Sequence, residues 1–81
     1  MIQIAIIGLG RIGASLGLAL RRNKGANYEV IGHDRDPKAA GHAEKTGAVA
    51  RIEWNLPRLC ESADVLLLAL PLSEIRATLA L

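Results

Sequence analysis

The stretch IQIAIIGLGRIGASLGLAL, residues 2–20, decides the fold of this 81-residue chain. Residues 2–7 form an isoleucine-rich run that ends at Gly8, which is typical of a buried strand. From Arg11 to about residue 23 the apolar residues recur every four positions, which indicates a helix. The stretch therefore predicts a strand, a glycine-rich turn and a helix in direct succession. The recurring apolar residues are Ile12, Leu16 and Leu20.

The turn matches the pattern G-x-G-x-x-G, in which each glycine has a separate role. Gly8 permits a tight turn, Gly10 lets the backbone approach a pyrophosphate, and Gly13 lets the helix lie close to the strand. The amino end of the helix directs unpaired N–H groups at the phosphates, so the amides of Arg11 and Ile12 are expected donors. The loop residues predicted to contact a dinucleotide are Gly8, Leu9, Gly10, Arg11, Ile12 and Gly13.

An acidic residue, Asp34, follows a second predicted strand at residues 28–33. It lies about 20 residues after the third glycine, the distance expected of an acid that binds the ribose hydroxyls. This spacing disfavours the alternative of a glycine turn that binds nothing. A carboxylate would repel a 2′-phosphate, so NAD is predicted and NADP is less favoured. We expect Arg35 to stack on adenine or to be solvated, although NADP-binding proteins use such a residue to hold the phosphate.

The rest of the chain continues the alternation of strands and helices. Asp36 and Pro37 predict the start of a helix that runs to about residue 46 and stops at Gly47. Ser73 is expected to cap a final helix. This order predicts an α/β fold with a Rossmann-type, doubly wound parallel sheet, of which residues 1–81 supply the N-terminal half only. The remaining predicted elements are a short strand at 48–52, a helix at 56–61 and a strand at 64–71.

Composition excludes several function classes. Hydrophobic residues make up 51% of the chain and the formal net charge is +2, a balance that disfavours disorder. The basic residues are scattered, so no nucleic-acid partner is expected. The cluster of Arg21, Arg22 and Lys24 is interpreted as cations that offset the dipole at a helix end. The longest apolar run, residues 65–72, is too short to span a bilayer, and we expect a cytoplasmic protein.

No catalytic or metal-binding residue is predicted. Cys60 is the single cysteine, which excludes a disulfide within the chain. No base lies near it in sequence to activate its thiol, so Cys60 is not predicted to be a nucleophile. His33 and His42 have no partner at the spacing of metal ligands, so both are interpreted as structural or solvent-facing.

Three segments resemble the N-terminal part of the prephenate and arogenate dehydrogenases. They are GLGRIGASLGLAL at 8–20, VIGHDRDP at 30–37 and ADVLLLALP at 63–71. The resemblance covers essentially the whole chain and implies the oxidative decarboxylation of tyrosine biosynthesis, with hydride transfer to a nicotinamide cofactor. By the same resemblance, the residues expected near the nicotinamide ribose are Leu70, Pro71 and Leu72.

The resemblance also implies that the chemistry needs more than this chain. In the family, a catalytic histidine, basic substrate-binding residues and a helical dimerisation domain follow the segment that corresponds to residues 1–81. We therefore expect a small-molecule substrate and a homodimer for the full-length protein, and no turnover by residues 1–81 alone. Two alternatives stay open, a dehydrogenase of the β-hydroxyacid type and a regulatory module that senses nucleotides.

Overall fold

A computed structural model describes residues 1–23 and 25–80. Strands and helices alternate along these residues, as the sequence predicts. Lys24, expected near a helix end, and Leu81, expected at the end of the last helix, lie outside the described residues. The elements are β1 (Ile2–Ile7), α1 (Arg11–Arg21), β2 (Tyr28–His33), α2 (Pro37–Thr46), β3 (Arg51–Ile52), α3 (Leu56–Ser62), β4 (Val65–Leu68) and α4 (Leu72–Leu79).

The strands form one parallel sheet in the order β3-β2-β1-β4. The chain builds outward from β1 through β2 to β3, then returns to the other side of β1 with β4. Ile4 accordingly lies opposite Val30 on one side and Val65 on the other. The strand order therefore reverses at β1. This arrangement confirms the predicted Rossmann-type parallel sheet.

The core lies on both faces of the sheet, because successive residues of β1 point to opposite sides. Ile6 belongs to one buried cluster, to which α2 contributes Ala40 and Ala43. Ala5 and Ile7 belong to the other cluster, together with Leu59 of α3. Coverage on both faces explains why β1, apart from Gln3, is apolar rather than alternating.

Helix α1 packs through its glycines. A Cβ added to Gly13 would collide with the carbonyl oxygen of Gly8, and one added to Gly17 would collide with that of Ala48. Gly13 therefore lies against the turn directly after β1, and Gly17 lies against the loop before β3. The apolar residues whose spacing predicts the helix are largely exposed to solvent, with Ile12 70% exposed and Leu16 40% exposed.

The helix boundaries agree with the predicted capping residues at α2 but not at α4. Asp36 accepts a hydrogen bond from the backbone of Lys38 at 3.0 Å, and Gly47 ends the helix with a φ of 83°. Helix α4 instead begins directly after Pro71 and has no side-chain cap. The prediction that Ser73 caps this helix is wrong, because Ser73 lies inside its first turn.

The cation at the end of α1 makes tertiary contacts that the sequence does not reveal. Arg21 Nη1 donates to the carbonyl oxygens of Gly47, at 2.8 Å, and Val49, at 3.1 Å. These bonds tie α1 to the segment between α2 and β3. In residues 1–23 and 25–80, the helices are all too short or too polar to cross a membrane.

Candidate dinucleotide-binding site

A cleft of about 470 Å³ opens at the carboxyl ends of β1, β2 and β4. It lies where the strand order reverses, which is where open parallel α/β sheets bind their ligands. Its walls come from the glycine turn, the end of β2, the segment after β4, and α4. The lining residues are Ile7, Gly8, Gly10, His33, Asp34, Arg35, Asp36, Leu56, Ala69, Leu70, Pro71, Glu74, Ala77 and Thr78.

Gly8 and Gly13 are required by the fold itself. Gly8 has a φ of 99°, which other residues rarely adopt, and an added Cβ would lie 2.5 Å from the Ala69 carbonyl oxygen. Gly13 lies against the carbonyl of Gly8, as described above. Two of the three fingerprint glycines are therefore explained by packing within the protein.

Gly10 has no such explanation. Its φ of −72° is available to any residue, and an added Cβ would meet no protein atom within 4 Å. Gly10 also lines the cleft. The missing side chain at position 10 therefore leaves free space in the cleft wall, as close approach of a ligand to the backbone would require.

The amino end of α1 is suited to an anion. Gly10 is its N-cap residue, no side chain caps it, and its first turn contains no acidic residue. The first intrahelical bond runs from the Ala14 N–H to the Gly10 carbonyl. The preceding amides, including those of Arg11 and Ile12, have no intrahelical acceptor, so they present donors and a partial positive charge.

Asp34 is held in place by the backbone on both sides. Its Oδ2 accepts from the Leu9 N–H at 2.8 Å, and its Oδ1 accepts from the Asp36 N–H at 2.9 Å. Each carboxylate oxygen keeps further acceptor capacity, because each has two lone pairs. The carboxylate is thus a fixed acceptor in the cleft, as binding of ribose hydroxyls requires.

The other residues predicted to contact a cofactor divide into two groups. Leu70 and Pro71 line the cleft, whereas Leu72 does not and is 69% exposed. The Leu9 side chain is only 3% exposed and packs so closely over β2 that a Cβ on Gly32 would lie 2.9 Å from its Cδ1. Leu9 therefore supports the site through its amide and its packing rather than by lining the cleft.

His33 is a cleft residue to which the sequence analysis gave only a structural role. Its Nδ1 lies 2.8 Å from the carbonyl oxygen of Glu53, which can only accept, so Nδ1 carries the hydrogen. This bond joins the end of β2 to the segment after β3. His33 is 9% exposed and forms part of the cleft wall beside Asp34.

Helix α4 supplies a wall that the sequence analysis missed. Glu74, Ala77 and Thr78 all line the cleft. Their spacing of three and four residues places them on one helix face, and this spacing is the signal that could have identified them. Glu74 also pairs with Arg35, whose Nη2 lies 2.6 Å from Glu74 Oε1. Arg35, expected to stack on adenine or to be solvated, thus has a carboxylate partner across the cleft.

The described residues give no metal centre. No group of three or more His, Cys, Asp or Glu side chains in residues 1–23 and 25–80 is close enough to hold an ion. Cys60 is half-buried in α3 and unpaired by a disulfide. The side chains and backbone of the cleft offer hydrogen bonds and charge to a bound ligand.

Comparison with protein families gives a match to the family described as NADP oxidoreductase, coenzyme F420-dependent, over residues 3–81. The chain belongs to this family. The predicted cofactor class, a nicotinamide dinucleotide, is confirmed by membership of this NADP oxidoreductase family.

Individual relatives confirm the resemblance to the prephenate and arogenate dehydrogenases. The prephenate dehydrogenase of Lactococcus lactis is 35% identical over 74 residues, which span 90% of this chain. The arogenate dehydrogenase of Synechocystis is 32% identical, with a TM-score of 0.83 over 96% of the chain. The A. aeolicus prephenate dehydrogenase, solved with hydroxyphenyl propionate and NAD+, has the same fold, with a TM-score of 0.83 over 96% of the chain at 24% identity.

The chain matches only part of each relative. It spans 20% of the L. lactis protein and 27% of each of the two solved dehydrogenases. It is thus an oxidoreductase-type, dinucleotide-binding Rossmann domain segment related to the prephenate and arogenate dehydrogenases.

Proposed function

We propose that this chain is the NAD-binding part of a prephenate or arogenate dehydrogenase, an enzyme that oxidatively decarboxylates its ring substrate in tyrosine biosynthesis. The observation that carries dinucleotide binding is Gly10, which the fold does not require and which leaves free space in the cleft. The substrate class is supported by the likeness to the L. lactis and Synechocystis enzymes.

Each part of the dinucleotide has a matching group in the cleft. The amides at the start of α1 would bind the pyrophosphate, and Asp34 would accept from the adenosine ribose hydroxyls. Leu70 and Pro71 line the opposite part of the cleft, near β4, where they would contact the nicotinamide ribose. The residues proposed to bind NAD are therefore spread over the ends of three strands.

The charge of the cleft favours NAD over NADP, although the family description names NADP. Asp34, Asp36 and Glu74 all line the cleft. A 2′-phosphate carries negative charge, and the Asp34 carboxylate at the ribose position would repel it. We therefore propose NAD as the cofactor.

The nicotinamide ring supplies the hydride acceptor for the reaction. Hydride would leave the ring carbon that bears the hydroxyl, a histidine outside residues 1–81 would take the hydroxyl proton, as the resemblance implies, and loss of carbon dioxide would make the ring aromatic. The residues of this chain bind and orient the dinucleotide, and none of them is assigned a catalytic role. In the full-length protein, we propose that residues outside 1–81 bind the small-molecule substrate and form a homodimer.

Substitution of Gly10 separates ligand binding from folding. Gly10→Ala should lower the thermal unfolding midpoint by only a few degrees, because the added methyl group meets no protein atom within 4 Å and replacing a glycine N-cap with alanine costs about 1 kcal/mol. It should weaken NAD binding at least tenfold, or about 1.4 kcal/mol, because the methyl group occupies the approach to the pyrophosphate. Both quantities are measured on the full-length protein, by thermal unfolding and by calorimetric titration with NAD.

Gly41→Ala is the matched control, since Gly41 in α2 also has open space around an added Cβ but does not line the cleft. NAD affinity should be unchanged in this variant. Equal NAD affinity in the wild type and Gly10→Ala would contradict the assignment of the cleft as the dinucleotide site.

Turnover distinguishes the enzyme from a nucleotide-sensing module. The full-length protein should form NADH when NAD is supplied with either prephenate or arogenate, as followed by NADH absorbance. A protein that binds NAD but forms no NADH with either substrate would contradict the proposed reaction and favour a regulatory module.

A further inference from the structure

Arg35 and Glu74 form an ion pair across the cleft, although they are 39 residues apart in sequence. Arg35 follows Asp34 directly in the loop between β2 and α2, and Glu74 lies in the first turn of α4. Both side chains line the cleft. The pair therefore connects the side of the cleft that would hold the adenosine ribose with the α4 wall.

The contribution of the pair to folding is small. Arg35 is 86% exposed at its side chain and Glu74 is 36% exposed, and exposed ion pairs stabilise a fold by about 0–1 kcal/mol. The helix dipole does not require the pairing either, because an acidic residue in the first turn of a helix is favourable without any partner. Because the pair lies in the cleft, it can affect which ligand the cleft binds.

Arg35 is the cation best placed to bind a 2′-phosphate. Among the described residues that line the cleft, it is the only Arg or Lys, whereas Asp34, Asp36 and Glu74 are carboxylates. A guanidinium binds phosphate with strong, charge-assisted hydrogen bonds. In this structure the nitrogen Nη2 of that guanidinium is directed to Glu74.

Building on the proposed function, we infer that Glu74 is a specificity-determining residue that disfavours NADP by holding the Arg35 guanidinium. Asp34 selects NAD by repelling a 2′-phosphate, and Glu74 adds a second selection by engaging the cation that would otherwise compensate that repulsion. Loss of Glu74 frees Arg35, whereas NAD, which lacks the 2′-phosphate, gains nothing from the freed guanidinium.

The test is a titration of the full-length protein and its variants with NAD and with NADP. Glu74→Gln should tighten NADP binding about five- to tenfold, since a charged hydrogen bond to phosphate replaces a surface ion pair. NAD affinity should change less than twofold. Glu61→Gln is the control, because it removes the same charge from an exposed residue of α3 that does not line the cleft.

A double-mutant cycle shows whether Glu74 acts through Arg35. In an Arg35→Gln background, Glu74→Gln should no longer improve NADP binding. If the improvement persists in that background, Glu74 acts by direct repulsion and the inference is overturned. Unchanged NADP affinity in Glu74→Gln, in a protein that binds NAD, overturns the inference alone. Failure of the unaltered protein to bind NAD would overturn the proposed function as well.

Discussion

At the scale of single residues, the structure separates positions that the glycine fingerprint treats alike. Gly8 and Gly13 are required because a side chain would collide with neighbouring backbone, whereas Gly10 faces open space. The sequence identified all three positions and the acid at Asp34. It could not show which of these glycines the fold requires, because at Gly8 the obstructing carbonyl belongs to Ala69, which is distant in sequence.

The Asp34 carboxylate makes a testable contribution at the same scale. Asp34→Asn loses the charge that strengthens hydrogen bonds from ribose hydroxyls, and its NH2 group would face one of the two backbone N–H donors, that of Leu9 or that of Asp36. Hydrogen bonds to charged groups contribute about 1.5–3 kcal/mol, so NAD affinity should fall at least about tenfold. Calorimetric titration of the full-length protein with NAD measures this change.

The control for this substitution is Asp64→Asn. The Asp64 carboxylate also accepts from a backbone amide, that of Gln3 at 2.7 Å, but this bond lies at the amino end of β1, away from the cleft. NAD affinity should be retained in this variant. An equal loss of affinity in both variants would indicate a general effect on folding rather than a ribose contact.

At the scale of secondary-structure elements, the helix and strand types are predictable and their contacts are not. The apolar spacing of Ile12 and Leu16 correctly predicted α1, yet both side chains are exposed and the helix packs through Gly13 and Gly17. The residue types that favour a helix N-cap correctly predicted Asp36, whose side chain caps α2. The same residue types gave a wrong prediction at the start of α4, because Pro71 fixes the turn that begins the helix without a side-chain cap.

The packing of α1 predicts the effect of Gly17→Ala. Alanine favours a helix over glycine by about 1 kcal/mol, but the added methyl group would collide with the Ala48 carbonyl oxygen. Overpacking of this kind destabilises by about 1–3 kcal/mol, so the free energy of unfolding should fall. Urea unfolding measures it, with Gly41→Ala as the unobstructed helix control. Increased stability of Gly17→Ala would show that α1 does not approach this loop so closely.

The Arg35–Glu74 pair illustrates what element-level reasoning misses. The acidic residue of α4 has a sufficient local explanation in the helix dipole, and Arg35 has one in its exposure to solvent. Only the return of the chain to β4, on the far side of β1, brings Glu74 of α4 into contact with Arg35 in the loop after β2. The cleft wall formed by α4 was therefore absent from the sequence-based site, whereas the glycine turn and Asp34 were present.

At the scale of the whole molecule, the alternation of elements predicts the parallel sheet, and the strand order determines which strand lies at its edge. Strand β4 pairs with β1 and lies at the end of the sheet order. Its first two residues, Val65 and Leu66, are 42% and 41% exposed. A uniformly apolar strand is typical of a sheet covered on both faces, but within the described residues this strand is only partly covered.

This edge predicts association of the polypeptide of residues 1–81 when it is produced alone. An exposed apolar strand edge is a template for pairing with another chain, so scattered light should rise with protein concentration. Leu66→Lys should reduce this rise by introducing a charge on the edge strand. Leu72→Lys makes the same change at an exposed residue of α4 and should have less effect. Equal scattering from all three polypeptides would argue against association through β4.

The strand order also determines when, during synthesis of the chain, the parts of the site can come together. Strand β1 is made first, but Ile4 reaches its second neighbour only when Val65 is available. The glycine turn and the acid after β2 meet through the pairing of β1 with β2, but the α4 wall joins them only after this late pairing. A nascent chain therefore carries the complete dinucleotide fingerprint long before it has a cleft, and the binding surface can close only after α4 has left the ribosome.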